Sequence, residues 1–264
     1  MQELAFVLAG FVVGTIVALT GVGGGSLMTP LLIFLFGITP NVAVGTDLLF
    51  AAGTKSGGTL QLARRRLVPW RVVGQLSLGS IPAALLTLYV LHRVGPADAA
   101  LQRTISVTLG VALLLTALAT FVKAVRGHRP RSQAASPAPG AEPTEARHWS
   151  LPILFGALIG PLVTLTSVGA GAIGVVVLLM LYPLLPLPRI VAADIAYAVP
   201  LTLVGGLGHA AIGTVDWALL GLLLCGSLPG VWLGARLVAW VPQRLVRTLL
   251  SLLLAYAGSR LVMA

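Results

Sequence analysis

Ten apolar stretches follow one another along this chain, at about residues 3–20, 26–37, 42–62, 70–91, 103–124, 151–166, 171–187, 190–212, 216–238 and 244–263. Most reach the ~20 residues that a helix needs to cross the hydrocarbon core of a bilayer. Nothing else in the sequence constrains the fold as much, because hydrocarbon offers backbone N–H and C=O groups no partners but each other. Composition agrees: 57% of the residues are hydrophobic and only 9% are charged, with a mean hydropathy of +1.00. A soluble domain carries roughly 25% charged residues, so this chain could not clothe a water-facing surface. The expectation is an all-α polytopic membrane protein. A net charge of +10 raises the question of nucleic acid, but the arginines gather in short loops and one linker, as the positive-inside rule describes. The N-terminus "MQELAFVLAGF" lacks a basic n-region and reads as a first membrane segment, not a cleaved signal peptide. Cys225 is the single cysteine, which excludes an intrachain disulfide and a Cys-based zinc site.

The apolar segments come in two sets. "LTGVGGG" at 19–25 returns as "LTSVGAG" at 165–171, an offset of 146. "GSIP" at 79–82 returns as "GSLP" at 226–229, and Asp47 with Asp194 and Trp70 with Trp217 share that same offset of 147. The halves are therefore read as repeats of about five segments each, over 1–125 and 150–264. Between them, 126–149 is rich in Pro, Ala and Ser without apolar periodicity, and reads as a disordered cytoplasmic linker. An odd number of segments inserts the second half upside down relative to the first. Ten alternating segments, with the loop "ARRRLVPWR" inside, place thirteen Lys and Arg residues inside and three outside. Counting each glycine-broken pair as one crossing weakens that bias. Inverted topology with both termini outside is the expectation.

The repeated glycine runs sit beside short segments. Residues 26–37 number ~12, too few to cross alone at 1.5 Å per residue, so a hairpin or broken helix should turn inside the membrane. A helix starting at Ser26 would aim its N–H groups and partial positive charge at the break, and the second half would do the same near Gly171 and Ala172. Two such ends meeting near the midplane would form an anion site from Gly23, Gly24, Gly25 and Ser26 in one half and Gly169, Ala170 and Gly171 in the other. The plainer reading is that small residues let helices pack closely. A phosphate-binding loop is excluded, because "GVGGGS" lacks the Gly-Lys-Ser/Thr ending.

Few ionisable residues fall inside segments: Asp47, Lys55, Asp194 and His209. Each is expensive in a membrane and a functional candidate by default. The topology places Asp47 near the outer face and Asp194 near the inner one. That separation is incompatible with an aspartyl protease, whose carboxylates share a proton. Both are candidates for proton coupling, and equally for helix capping. Lys55 lies ~12 Å deeper than Asp47, near the middle, close enough in depth to Asp194 for an ion pair. It is the candidate counter-charge for an anion. His209 reads as a satisfied packing residue.

"GVGGGSLMTPLLIFLFGITPNVAVGTDLLFAAGTKSGGT" resembles the signature of the TauE/SafE sulfite exporter family, also called the 4-toluene sulfonate uptake permeases. "ADIAYAVPLTLVGGLGHAAIGTVDWALLGLLLCGSLPGVWLGARL" is similar to the family's repeated second half. The resemblance covers nearly the whole chain apart from the linker. It implies secondary transport of a sulfur-containing oxyanion, sulfite or an organosulfonate, across the bacterial inner membrane. "GTD" at Gly45–Asp47 stands where many members read "GTS", adding a fixed acid to the site region. The reading is a proton-coupled, alternating-access transporter, not an enzyme, with no cofactor and no resident metal. Its partners are the small anion and the bilayer, with a homo-oligomer left open and nucleic acid excluded. The alternative is a permease for a metal cation or another small anion, which would need clustered His, Asp or Glu ligands in the membrane.

Overall fold

The computed structural model describes residues 2–20, 25–95, 98–126, 150–169, 171–237 and 240–263. Among them the chain is helical throughout, without strands: α1 (Gln2–Thr20), α2 (Gly25–Phe36), α3 (Pro40–Arg64), α4 (Trp70–Val94), α5 (Ala99–Arg126), α6 (Ser150–Thr166), α7 (Ala172–Leu181), α8 (Leu187–Ile212), α9 (Trp217–Leu237) and α10 (Gln243–Met263). The linker lies outside the described residues, as do Gly23, Gly24 and Ala170. Five helices (α4, α5, α8, α9 and α10) are long and apolar enough to cross a membrane. α3 matches them in length with 25 residues, but spends that length on Asn41, Asp47, Lys55 and Gln61.

The breaks fall where the glycines predict. α2 has 12 residues and α7 has 10, neither enough to span ~30 Å of hydrocarbon. α2 starts at Gly25, one residue before the expected Ser26. The apolar stretch expected over 171–187 stops being helical at Leu181, followed by a turn through Tyr182 and Leu185. Pro183 and Pro186 explain the stop, since neither can donate the next helical hydrogen bond. α8 then starts at Leu187 with Pro188 in its first turn, a position where the missing N–H costs nothing.

Packing follows the repeat, and it crosses between the halves. α1 lies along α9, and its counterpart α6 lies along α4. A Cβ on Gly10 would stand 2.3 Å from the Leu223 carbonyl oxygen, and one on Gly156 would stand 2.2 Å from that of Leu76. Gly10 and Gly156 are related by the 146 offset, and Leu76 and Leu223 by 147. Gly14 against Ser227 is matched in the same way by Gly160 against Ser80. These pairs let backbones touch, the usual means by which membrane helices associate.

Two further pairs join equivalent helices. Gly45 meets His209, Gly205 meets Leu48 and Gly58 meets Ile195, so α3 and α8 run antiparallel. Gly110 meets Val262 while Gly258 meets Leu114, so α5 and α10 also run antiparallel. Ten alternating crossings give both pairs this relation. If each broken pair counted once, both would be parallel. The buried apolar residues form two clusters, one around Leu48, Leu76, Leu178 and Tyr197, the other around Met28, Leu32, Phe50 and Leu223. Leu32 and Leu178 are counterparts, and each is almost wholly buried.

Candidate functional site

The α3–α8 pair carries the ionisable groups. From the contacts that join them, Asp47 and Asp194 lie ~18 Å apart along the pair, with Lys55 ~6 Å from the level of Asp194 and ~12 Å from that of Asp47. Both carboxylates are buried, with Asp47 at 0% and Asp194 at 3% exposure. Lys55 is half-buried. Its ammonium interacts electrostatically with both, more strongly with Asp194. The sequence places the lysine correctly between the acids, and the two carboxylates cannot share a proton at that separation.

Asp47 is a clasp. Its Oδ2 accepts a short hydrogen bond from the Thr29 hydroxyl on α2, and the Ser167 hydroxyl from the second half's break lies beside the same carboxylate. One side chain on α3 thus touches both broken hairpins. Ser167 holds its place with a positive φ of 56°, a backbone conformation uncommon outside glycine. The bend it starts is completed by Thr166, whose hydroxyl receives the Val168 N–H at 3.1 Å.

Asp194 has different surroundings, although the scaffold is the same. Its Oδ1 occupies the space where a Cβ on Gly174, in the first turn of α7, would come within 2.0 Å. The residues that match Thr29 and Ser167 in the repeat are Val175 and Gly21, which have no hydroxyl. In their stead, Tyr197 interacts electrostatically with Asp194 and faces Ser80 on α4.

At the second break, Gly169 and Gly171 have φ of 122° and 142°, values that side-chain-bearing residues rarely adopt. The Gly174 N–H donates back to the Gly169 carbonyl at 3.1 Å, so one of the N–H groups expected to face an anion is already used. In the first half, Ser26 is buried at 5% exposure and Gly25 opens α2. His209 is a packing residue as expected. Its Nδ1 lies 2.8 Å from the Thr214 hydroxyl and its Nε2 lies 3.0 Å from the Thr164 carbonyl. Among the described residues no three His, Cys, Asp or Glu side chains come together as a metal site.

Sequence reasoning missed Thr29, Ser167, Gly174, Ser80 and Tyr197. Ser80 and Ser167 lie inside the repeated motifs, so only their partners were hidden. Thr29 and Tyr197 carried no signal beyond the halves disagreeing there, Thr29 against Val175 and Tyr197 against Phe50.

Buried charges on the antiparallel α3–α8 pair, beside two glycine-broken helices, fit a polytopic membrane transporter. Residues 6–261 match the family described as Sulfite exporter TauE/SafE, and the chain belongs to it. It is similar to three proteins of Bacillus subtilis (strain 168). "Probable membrane transporter protein YjnA" is 34% identical over 99% of this chain and 100% of its own length. "Probable membrane transporter protein YunE" is 26% identical over 93% and 90%, and "Probable membrane transporter protein YdhB" 24% over 97% and 98%. No solved structure gives a significant match.

Proposed function

We propose that this protein moves a small sulfur-containing oxyanion, sulfite or an organosulfonate, by proton-coupled alternating access across the bacterial inner membrane. The observation that carries the reading is Lys55, whose level along the α3–α8 pair falls between those of Asp47 and Asp194 and which interacts with both. With both acids ionised, the three side chains sum to one negative charge, and an arriving anion makes the site more negative still. Low-dielectric surroundings make that costly. A proton on either carboxyl offsets the anion's charge, so anion and proton enter and leave together. The family's description as a sulfite exporter supports the substrate class.

The site residues are Lys55 as counter-charge, Asp47 and Asp194 as proton carriers, and the break residues Gly23, Gly24, Gly25, Ser26, Gly169, Ala170 and Gly171 as backbone donors. The halves 1–125 and 150–264 rock against each other as inverted repeats, with the arginine-rich loop at 64–71 and the linker cytoplasmic. Antiparallel packing of α3 on α8 and of α5 on α10 supports the inversion. Purified protein in liposomes, given sulfite, sulfoacetate, sulfate or a divalent metal with a pH-sensitive dye inside, tests this reading. Saturable oxyanion flux accompanied by protons is expected. Flux of the metal without oxyanion flux refutes the reading.

A further inference from the structure

Two buried hydroxyls near Asp194 have no polar neighbour to bond but each other and that carboxylate. Ser80 is 0% exposed and Tyr197 is 1% exposed, yet neither Ser80 Oγ nor Tyr197 Oη makes a hydrogen bond. They face each other across the α4–α8 contact, and Tyr197 also feels the Asp194 carboxylate. Asp194 in turn packs against Gly174 in the first turn of α7 and interacts with Lys55. Buried polar groups normally find partners, so a pair left without a well-formed hydrogen bond beside Asp194, which itself links to Lys55 and to the first turn of α7, marks a place prepared for an acceptor.

The repeat supplies a control. Tyr197 corresponds to Phe50 and Ser80 to Ser227. Phe50 has no hydroxyl, and Ser227 donates to the Leu224 carbonyl at 3.4 Å. The scaffold alone does not require an open hydroxyl pair, because the matched position does without one.

We propose that Ser80 of the first half and Tyr197 of the second are a pair of hydroxyl donors that binds oxygen atoms of the transported anion near Asp194, making this side of the α3–α8 pair the specificity-determining one. The inference rests on the oxyanion reading above. Hydroxyls suit the task because each donates to an anionic oxygen while adding no fixed charge. Lys55 supplies the charge, and the start of α7 adds its partial positive end. Around Asp47 the matched aromatic is Phe50, and the Ser167 hydroxyl is the buried group there without a hydrogen bond.

The test is Tyr197→Phe, with Ser80→Ala beside it, in liposome uptake of sulfite and sulfoacetate and in thermal unfolding in detergent. Loss of one hydrogen bond to a charged acceptor predicts roughly a tenfold or greater rise in KM. The unliganded variants should unfold at the parent temperature or above it, since an unpartnered hydroxyl has been removed from the interior. The rise in Tm that either anion gives the parent should shrink. Phe50→Tyr should leave KM unchanged. If the parent shows saturable uptake and both variants keep its KM, this inference is overturned and the oxyanion reading stands. If the parent neither transports nor is stabilised by any oxyanion, that reading falls and takes this one with it. A variant that unfolds at lower temperature without anion also overturns it, because the hydroxyls then serve the fold.

Discussion

Gly174→Ala should be destabilising in a place where such a change normally helps. Replacing glycine by alanine inside a helix usually gains ~0.5–1 kcal/mol. At Gly174 the new Cβ would sit 2.0 Å from Asp194 Oδ1, whereas ordinary contacts begin near 3.4 Å. The carboxylate must retreat by about 1.4 Å, and overpacking of this kind costs ~1–3 kcal/mol. The balance is a net loss of roughly 1–2 kcal/mol. In a chain of this size that lowers Tm by ~2–4 °C for each kcal/mol. Transport should fall further than stability, because the displaced carboxylate is the one nearer in level to Lys55. Gly221→Ala is the control, since a Cβ there meets nothing within 4 Å, and it should leave Tm unchanged or raise it. Unfolding in detergent and uptake in liposomes read both quantities. In an Asp194→Ala background, where the obstructing oxygens are gone, Gly174→Ala should cost no further stability. If Gly174→Ala proves as stable as Gly221→Ala, Asp194 does not hold the position described and the argument fails.

Thr29→Val should cost ~1.5–3 kcal/mol if Asp47 is ionised and Thr29→Ser much less, measured by thermal unfolding; equal stability of the two would remove Asp47 as a clasp. Lys55→Ala and Asp194→Ala should each impair expression or transport, and their combination should be milder than the product of the two; strict additivity would mean that no coupling links them. Gly171→Leu should abolish uptake, because a φ of 142° strains any side chain as well as filling the break; normal uptake would place the anion elsewhere. A cysteine at Arg65 in a Cys225→Ser background should resist membrane-impermeant labelling from outside intact cells, and strong labelling would reverse the orientation.

The sequence was most legible where its signal repeats. Segment count, the two breaks and the antiparallel relation of equivalent helices all follow from motifs recurring at a nearly constant offset, together with where arginines fall. Depth was legible too: counting residues along α3 and α8 places Lys55 between the carboxylates. What could not be read is where the halves differ. Asp47 and Asp194 look equivalent in sequence, but one meets a threonine 18 positions back and a serine in the other half. The other meets a glycine, a tyrosine and a lysine from three different helices. Such contacts depend on helix rotation and on which half lends which helix, and periodicity within one segment is silent on both. Helix ends were blurred for a simpler reason. Apolarity continues through Tyr182–Leu187, and only the prolines among them mark the stop.

The exchange of helices between halves sets a schedule for making the protein. α1 leaves the ribosome first, but the surface it rests on, with Gly10 against Leu223, belongs to a helix finished more than two hundred residues later. At ~5–20 residues per second that interval is on the order of 10–40 s. Throughout it, Gly10 and Gly14 present bare backbone to lipid or to the insertion machinery. α4 waits for α6 in the same way, though for less time. A chain stopped after residue 125 therefore strands the faces of α1, α3, α4 and α5 that pack on the second half, and co-expressing the two halves as separate chains should recover what neither achieves alone.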